Sequence, residues 1–313
     1  MLSPSDTLAD AIRRRRAILF VGAGVSMSIG LPSWDALIDH MLEELKLDRS
    51  VIQGMNGGYQ MVAEFYRLKQ GSMAPLRAWL DQTWQDSSRR ISSSIPHKLI
   101  VELNFPIIYT TNYDRNLEAA FEFYKRPYAK IANARDIANA ADGATQIVKY
   151  HGDLEDDESL ILTETDFLDR LSFDSPLDVK FRADALGRTV LFIGYSMSDP
   201  NIRLLLHRIW GTWKNSGFEK HRPESFVFMH ASNPIQKAVL ARWGITALAP
   251  GGTQPPDVAL TSFLMRLKDR TTTSHFEGDA SRSLRDARQQ SPISKAVPNP
   301  AKLANSIGDP EGK

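Results

Sequence analysis

The sequence predicts an α/β fold: a doubly wound, mainly parallel six-stranded sheet with a helical insertion and a flexible C-terminal tail. Three observations carry this reading. Six short apolar runs each end in turn or polar residues. Helical patterns, some with explicit start signals, lie between several of them. The runs are also near-continuously apolar, which suits parallel strands covered on both faces better than half-exposed antiparallel ones.

The runs are Ala17–Val21 (AILFV), residues 106–109 (PIIY), 146–150 (QIVKY), Thr189–Ile193 (TVLFI), 225–229 (SFVFM) and 244–248 (GITAL). Their length and their turn-residue boundaries fit buried strands. After the fourth run, Asp199 is placed to cap a helix and Pro200 to occupy its first position, where a missing N–H costs nothing. Ile202, Leu205, Leu206, Ile209, Trp210 and Trp213 then form one apolar stripe. Asn233 and Pro234 repeat the start signal ahead of Val239, Leu240 and Trp243. Residues 34–95 differ. Tyr59, Val62, Phe65, Tyr66 and Lys69 share one helical face; Leu76, Trp79, Leu80 and Trp84 share another, with Pro75 at its start. This segment reads as a helical insertion packed on the sheet after the first strand, with the Trp79 and Trp84 face as core rather than interface. From residue 271 onward Phe276 is the only aromatic residue, and so polar a tail cannot bury enough surface to offset its ordering entropy. The expected organisation is a Rossmann-like domain over 1–270 and a flexible tail over 271–313.

A chain of 313 residues with 42% hydrophobic and 24% charged residues has the mixture of a soluble globular protein. No stretch approaches the roughly 20 apolar residues that span a bilayer. Residues 1–16 carry a basic run without an apolar signal region, so the expectation is a cytoplasmic protein with no direct membrane binding. Cysteine is absent, which excludes disulfides, a thiolate nucleophile, Cys-ligated zinc and iron–sulfur clusters. The seven histidines show no metal-ligand spacing, and no metal is expected. A net charge of +1 supplies no global field for nucleic acid or an anionic membrane. The four arginines at 13–16 admit a nucleic-acid reading, but a solvated helix face before the first strand accounts for them.

In a doubly wound sheet, ligands bind beyond the carboxyl ends of the strands. After the first run come Gly22, Ala23, Gly24, Val25 and Ser26, then Gly30, Leu31 and Pro32. Glycines let a backbone approach a phosphate closely and offer it N–H groups. The spacing is not that of the dehydrogenase fingerprint, and a tight turn is the alternative reading. Thr110, Thr111, Asn112, Tyr113 and Asp114 follow the second run, His151, Gly152 and Asp153 the third, Gly194 to Asp199 the fourth, and Ala231, Ser232 and Asn233 the fifth. One such cluster is an ordinary loop; together they outline a site. Asn112 could equally cap the helix starting near Asp114. A lone His151 would read as structural, but its Gly–Asp neighbours and the other clusters favour function.

The segments GAGVSMSIGLP (residues 22–32), TTNYD (110–114), HGD (151–153) and GYSMSDPNI (194–202), in this order, resemble the Sir2 family. They are most similar to the bacterial SIR2-like branch of NAD-consuming antiphage effectors, over roughly residues 10–250. The resemblance implies dinucleotide phosphates at the first motif (Gly22, Ala23, Gly24, Ser26, Pro32) and a nicotinamide ribose at the catalytic pair Asn112 and His151. It places Asp114 near the nicotinamide and Ser196 and Asn233 at the adenosine half, with Thr111 and Gly194 as further cofactor-binding residues. Deacylase members carry a four-cysteine zinc ribbon that this chain lacks, and Ser33-Trp34-Asp35 replaces their Phe-Arg. The resemblance therefore implies NAD⁺ glycohydrolase activity, cleaving NAD⁺ to nicotinamide and ADP-ribose in abortive infection. An NAD-dependent deacylase and a non-catalytic nucleotide-binding scaffold are the alternatives. A homo-oligomer and an activating partner (an ATPase, an Argonaute-like protein or a sensor module) are further implications. Whether Asp114 or Asp153 stabilises positive charge in the site is left open by the residues themselves.

Overall fold

The computed structural model describes residues 2–289 except 54, 56–57, 85–89, 157–158, 198, 232, 250 and 252. Along the chain, α1 (Pro4–Arg13) leads into β1 (Ala17–Val21), and α2 (Ala23–Met27), α3 (Trp34–Glu44), α4 (Tyr59–Gln70), α5 (Ala74–Trp84) and α6 (Ile95–Leu103) precede β2 (Ile107–Thr110). There follow α7 (Asn116–Phe123), β3 (Tyr128–Ile131), α8 (Ala134–Asn139), β4 (Thr145–Lys149), α9 (Glu164–Asp169) and α10 (Pro176–Gly187). The chain then forms β5 (Thr189–Ile193), α11 (Pro200–Ser216), β6 (Ser225–Phe228), α12 (Pro234–Arg242), β7 (Ile245–Leu248) and α13 (Pro256–Gln289).

The strands make one parallel sheet of seven, in the order β3-β4-β2-β1-β5-β6-β7. All five residues of β1 are buried, as its unbroken apolar run requires for a central strand. Alternation of side chains then divides β1 between two cores. Ala17, Leu19 and Val21 pack with α1, α6, α7 and the start of α13; Ile18 and Phe20 pack with α10, α11 and Leu240 of α12. Leu19 stands opposite both Ile108 of β2 and Leu191 of β5. The connections leave β1 to one side through β2, β4 and β3 and to the other through β5, β6 and β7. This makes the carboxyl end of β1 the topological switch point where a ligand crevice opens.

The expected six strands become seven. β3 was not legible because it is a four-residue edge strand in which Ile131 alone is buried, and its Lys130 bonds to Asp153 at 2.6 Å. An edge strand with one covered face does not show the apolar run that marks its neighbours.

The helical insertion forms a third core of its own, contrary to the expectation that it packs on the sheet. Leu37, Ile38, Met41 and Leu42 of α3, Val62, Ala63 and Tyr66 of α4 and Leu76 and Leu80 of α5 close on Leu154, Leu160 and Leu162 from the segment after β4. The buried face of α4 is Val62, Ala63 and Tyr66, with Phe65 40% exposed, so the face expected to carry Phe65 is rotated. The stripe of α11 fades likewise: Ile202, Leu205 and Leu206 are buried, Ile209, Trp210 and Trp213 only half so. The arginines at 13–16 share no face. Arg13 and Arg14 pair with Asp10, Arg15 donates to the Asn104 carbonyl, and Arg16 donates to that of Gly187.

The sheet, its covering helices and the insertion belong to a compact unit that ends at Thr271; the rest of the chain is a second unit. The backbone of α13 continues to Gln289, so the segment expected as a tail begins as helix, and residues 290–313 lie outside the described residues. Among the described residues no helix is long and apolar enough to cross a membrane.

Candidate functional site

At the switch point, the ends of β1 and β5 meet backbone to backbone. The Gly22 N–H donates to the Ile193 carbonyl (3.0 Å) and the Gly24 N–H to that of Gly194 (2.9 Å). A Cβ on Gly22 would stand 2.5 Å from the Gly194 oxygen, and one on Gly24 would stand 3.0 Å from Gly194 Cα. Gly194 adopts φ +58° with Val25 N 2.7 Å from where its own Cβ would be. These glycines serve the close approach of two strand ends. The sequence reading, in which the N–H groups of Gly22 and Gly24 hold phosphate, is corrected here: both donors are already engaged.

The loop after β2 is anchored across this junction. Thr110 Oγ1 donates to the Val21 carbonyl (3.0 Å) and accepts the Asn112 N–H (3.0 Å). Asn112 Nδ2 donates to the Gly22 carbonyl (3.2 Å) and to Ser26 Oγ (3.0 Å). Its Oδ1 is buried without a hydrogen-bond partner. Asn112 is therefore not a helix cap; α7 starts at Asn116, whose N–H is accepted by Asp114 Oδ1 at 3.0 Å. Beneath the loop, the fully buried Lys149 of β4 donates to the carbonyls of Asp114 and of Tyr113 and lies 3.5 Å from the fully buried Glu118. Burial pushes the Glu118 carboxyl above its ordinary range, with Lys149 pulling the other way.

His151 follows β4 at a turn that Gly152 completes with φ +94°, close against Ser159, where a Cβ would strike backbone at 2.2 Å. Its Nε2 lies 3.2 Å from Asp199 Oδ2, with both side chains at most 10% exposed. The contact is within ion-pair reach but not aligned as a hydrogen bond. Burial alone would raise Asp199, yet the imidazole and the N–H groups of Ile202 and Asn201 hold its carboxyl below the ordinary value. Of the two candidate carboxylates, Asp153 turns away to Lys130, whereas Asp114 lines the cleft.

The cleft has a volume of about 500 Å³. Ala23, Gly24, Ser26, Pro32, Thr111, Asn112, Asp114, His151, Gly194 and Ser196 all line it, so residues chosen from four separate strand ends come together. A second cavity of about 290 Å³ shares Gly24, Gly194, Tyr195 and Ser196 with it and extends to Met229, His230 and Gln236. Gly22 lies behind the wall, reaching the site only through its carbonyl. Asn233 lines neither cavity; its side chain caps α12 by accepting the Gln236 N–H at 3.0 Å, as its place before Pro234 predicts. Sequence reasoning missed Asp199 as a site residue, because its position before Pro200 already explained it as a cap. It also missed the wall supplied by the insertion: Trp34 and Asp35 of α3 and Tyr59 and Gln60 of α4. No spacing signal marks these, since the insertion reaches the site by packing. The lining carries Asp35, Asp114 and Asp199 and, among the described residues, no lysine or arginine. Those residues also hold no cluster of three or more potential metal ligands.

A doubly wound parallel sheet with its cleft at the switch point, walled by a helical insertion, defines the class of domain. Residues 106–248 match the SIR2-like domain family, the one the sequence motifs resemble. It is 32% identical over 206 residues to NAD(+) hydrolase ThsA of Enterococcus faecium, covering 64% of this chain and 41% of that protein. Its identity to NAD(+) hydrolase ThsA of Bacillus cereus is 28% over 200 residues, covering 63% of this chain and 40% of the relative. Defense-associated sirtuin 2 of Bacillus subtilis is 27% identical over 237 residues, 74% of this chain and 22% of that protein. The matches thus span less than half the length of each relative.

Proposed function

We propose that this chain is an NAD⁺ glycohydrolase, a hydrolase of N-glycosyl bonds that releases nicotinamide and ADP-ribose without a metal. The observation that carries the reading is Asn112: its amide nitrogen is fixed by two acceptors, while its oxygen is left without a partner in a cleft shared with His151. The names of the relatives support the same chemistry.

Nicotinamide in NAD⁺ is already a cationic leaving group and departs with the bonding electrons as a neutral base, so no general acid is needed. The barrier lies in the oxocarbenium-like ribose and in delivering water to it. Asn112 Oδ1 orients a water or ribose hydroxyl without competing as a nucleophile, and His151 accepts the proton that water loses. The carboxylates of Asp114 and Asp199 favour positive charge developing on the ribose. The cavity beyond Gly194 and Ser196 takes the adenosine half. Unrestrained NAD⁺ cleavage would deplete the host, so we assign the chain to a cytoplasmic antiphage effector switched on by homo-oligomerisation or by a protein partner (an ATPase, Argonaute-like protein or sensor module). Neither membrane nor nucleic acid is bound directly in this reading. The deacylase alternative is disfavoured by the missing zinc cysteines. The scaffold alternative does not need an Asn–His pair.

The test is chromatography of NAD⁺ incubated with the protein, alone and with the product of its neighbouring gene. Asn112→Ala and His151→Ala should each lower nicotinamide release by roughly 10²-fold or more, with a non-additive double variant and little change in nucleotide affinity. A folded double variant that releases nicotinamide at the wild-type rate would overturn the proposal.

A further inference from the structure

We infer that Asp199 is the positioning residue for His151, holding the imidazole as the Nε2–H tautomer so that Nδ1 is the atom that accepts the proton; the second clause rests on the hydrolase reading above. Asp199 Oδ1 accepts the N–H groups of Asn201 (2.8 Å) and Ile202 (3.3 Å), which fixes the carboxyl at the N-cap of a 17-residue helix. Capping needs one side-chain oxygen, and Ser, Thr, Asn or Asp supplies it equally well. Asp199 has a second oxygen to place. That atom, Oδ2, is buried, has no hydrogen-bond partner and lies 3.2 Å from His151 Nε2, which is buried and unpartnered too.

Two buried polar atoms at this distance stabilise one another, because burying either alone would be costly; the Tyr195 hydroxyl, itself buried, also interacts with the Asp199 carboxylate. An ionised carboxylate can only accept, so the nitrogen facing it must carry the hydrogen and the other nitrogen keeps the lone pair. Catalytic contacts of this kind are commonly loosely aligned outside the Michaelis complex. The imidazole has little room to turn. The Phe167 ring stands edge-on to it at 5.4 Å and the Tyr150 ring lies 5.7 Å away. Asn201 Nδ2 bonds the Phe167 carbonyl at 2.9 Å, so the first turn of α11 holds the carboxylate and also the aromatic wall beside the imidazole.

The test separates this pairing from the hydrolase reading. Full-length protein labelled with ¹⁵N-histidine should show the His151 resonances, assigned by their loss in His151→Gln, in the Nε2–H pattern. Asp199→Asn keeps an oxygen for the cap but presents an amide donor to Nε2, and should invert the tautomer to Nδ1–H. It should also lower kcat for nicotinamide release by roughly 10²-fold or more while changing KM a few-fold at most. Asp199→Ser, which retains the cap and has no second atom, leaves Nε2 buried without its partner; it should stay folded, melt a few degrees below wild type and show the same split between kcat and KM. A wild-type Nδ1–H pattern, or a folded Asp199→Asn with the wild-type tautomer, would overturn the pairing. The Nε2–H pattern in a protein that never cleaves NAD⁺ would instead uphold the pairing and overturn the hydrolase reading.

Discussion

Lys149→Met probes the strut beneath the Asn112 loop. In the wild type the ammonium and the Glu118 carboxylate are both fully buried, 3.5 Å apart, and neither Glu118 oxygen has a hydrogen-bond partner. Without Lys149 the carboxylate has no compensating charge, so it protonates in the folded state. Holding a carboxyl with an unfolded pKa near 4.3 neutral at pH 7 costs at most about 3.7 kcal/mol. Part of that cost already exists in the wild type, because burial pushes Glu118 up even with Lys149 present. Losing the donor to the Asp114 and Tyr113 carbonyls adds about 1 kcal/mol. The expected loss is about 3 kcal/mol at pH 7, in the range for breaking a buried pair, or on the order of 10 °C in Tm. The sign with pH follows from the raised folded pKa. The penalty is absent below about pH 4.3 and grows by about 1.4 kcal/mol per unit above it, so at pH 5 the loss should shrink to about 2 kcal/mol or less. Urea unfolding of wild type, Lys149→Met and Lys149→Met/Glu118→Gln at pH 5.0 and 7.5 measures this, with a pH-independent offset expected for the double variant. A Lys149→Met loss of the same size at both pH values would refute the argument.

Burial, partly opposed by Asp114, holds His97 down at about 4. The folded state therefore stays neutral where the unfolded chain begins to protonate near 6.5, and stability should fall as pH drops from 6.5 toward 4, by about 2 kcal/mol at pH 5. His97→Gln should flatten that slope in urea titrations, and an unchanged slope would assign the acid sensitivity elsewhere. Gly24→Val places a Cβ 3.0 Å from Gly194 backbone and loads the junction that walls both cavities. It should cost about 1–3 kcal/mol and weaken nucleotide binding together, read by thermal melts and calorimetry; a wild-type Tm would show that the junction yields more easily than its packing implies.

Much of the fold was legible because it is written in local chemistry. Five consecutive apolar residues at Ala17–Val21 mark a central strand without reference to anything else, and all five are buried. Asp199-Pro200 and Asn233-Pro234 announce helices because capping is settled within four residues. The strand-end clusters pointed to Asn112, His151 and Asp114 because a parallel sheet gathers all its carboxyl ends on one edge. β3 escaped because a half-exposed edge strand has no apolar run, and the insertion's wall escaped because α3 and α4 reach the cleft only through their shared core with the segment after β4.

Tertiary structure decided which atom meets which. Asn112 sits 90 residues from Gly22 and 86 from Ser26 in sequence, yet their bonds to it turned a possible cap into a fixed amide with a free oxygen. Asp199 read as a cap and is one, but its second oxygen faces His151 only because β5 and β4 end on the same edge of the sheet. The glycines after β1 read as donors and proved to be spacers, since the neighbour that consumes their N–H groups arrives with β5. Local sequence fixes what a backbone does over a few residues, where dihedral preference and capping dominate. The partner of a side chain at a strand end depends on strand order, which is settled by how the whole chain buries its apolar surface.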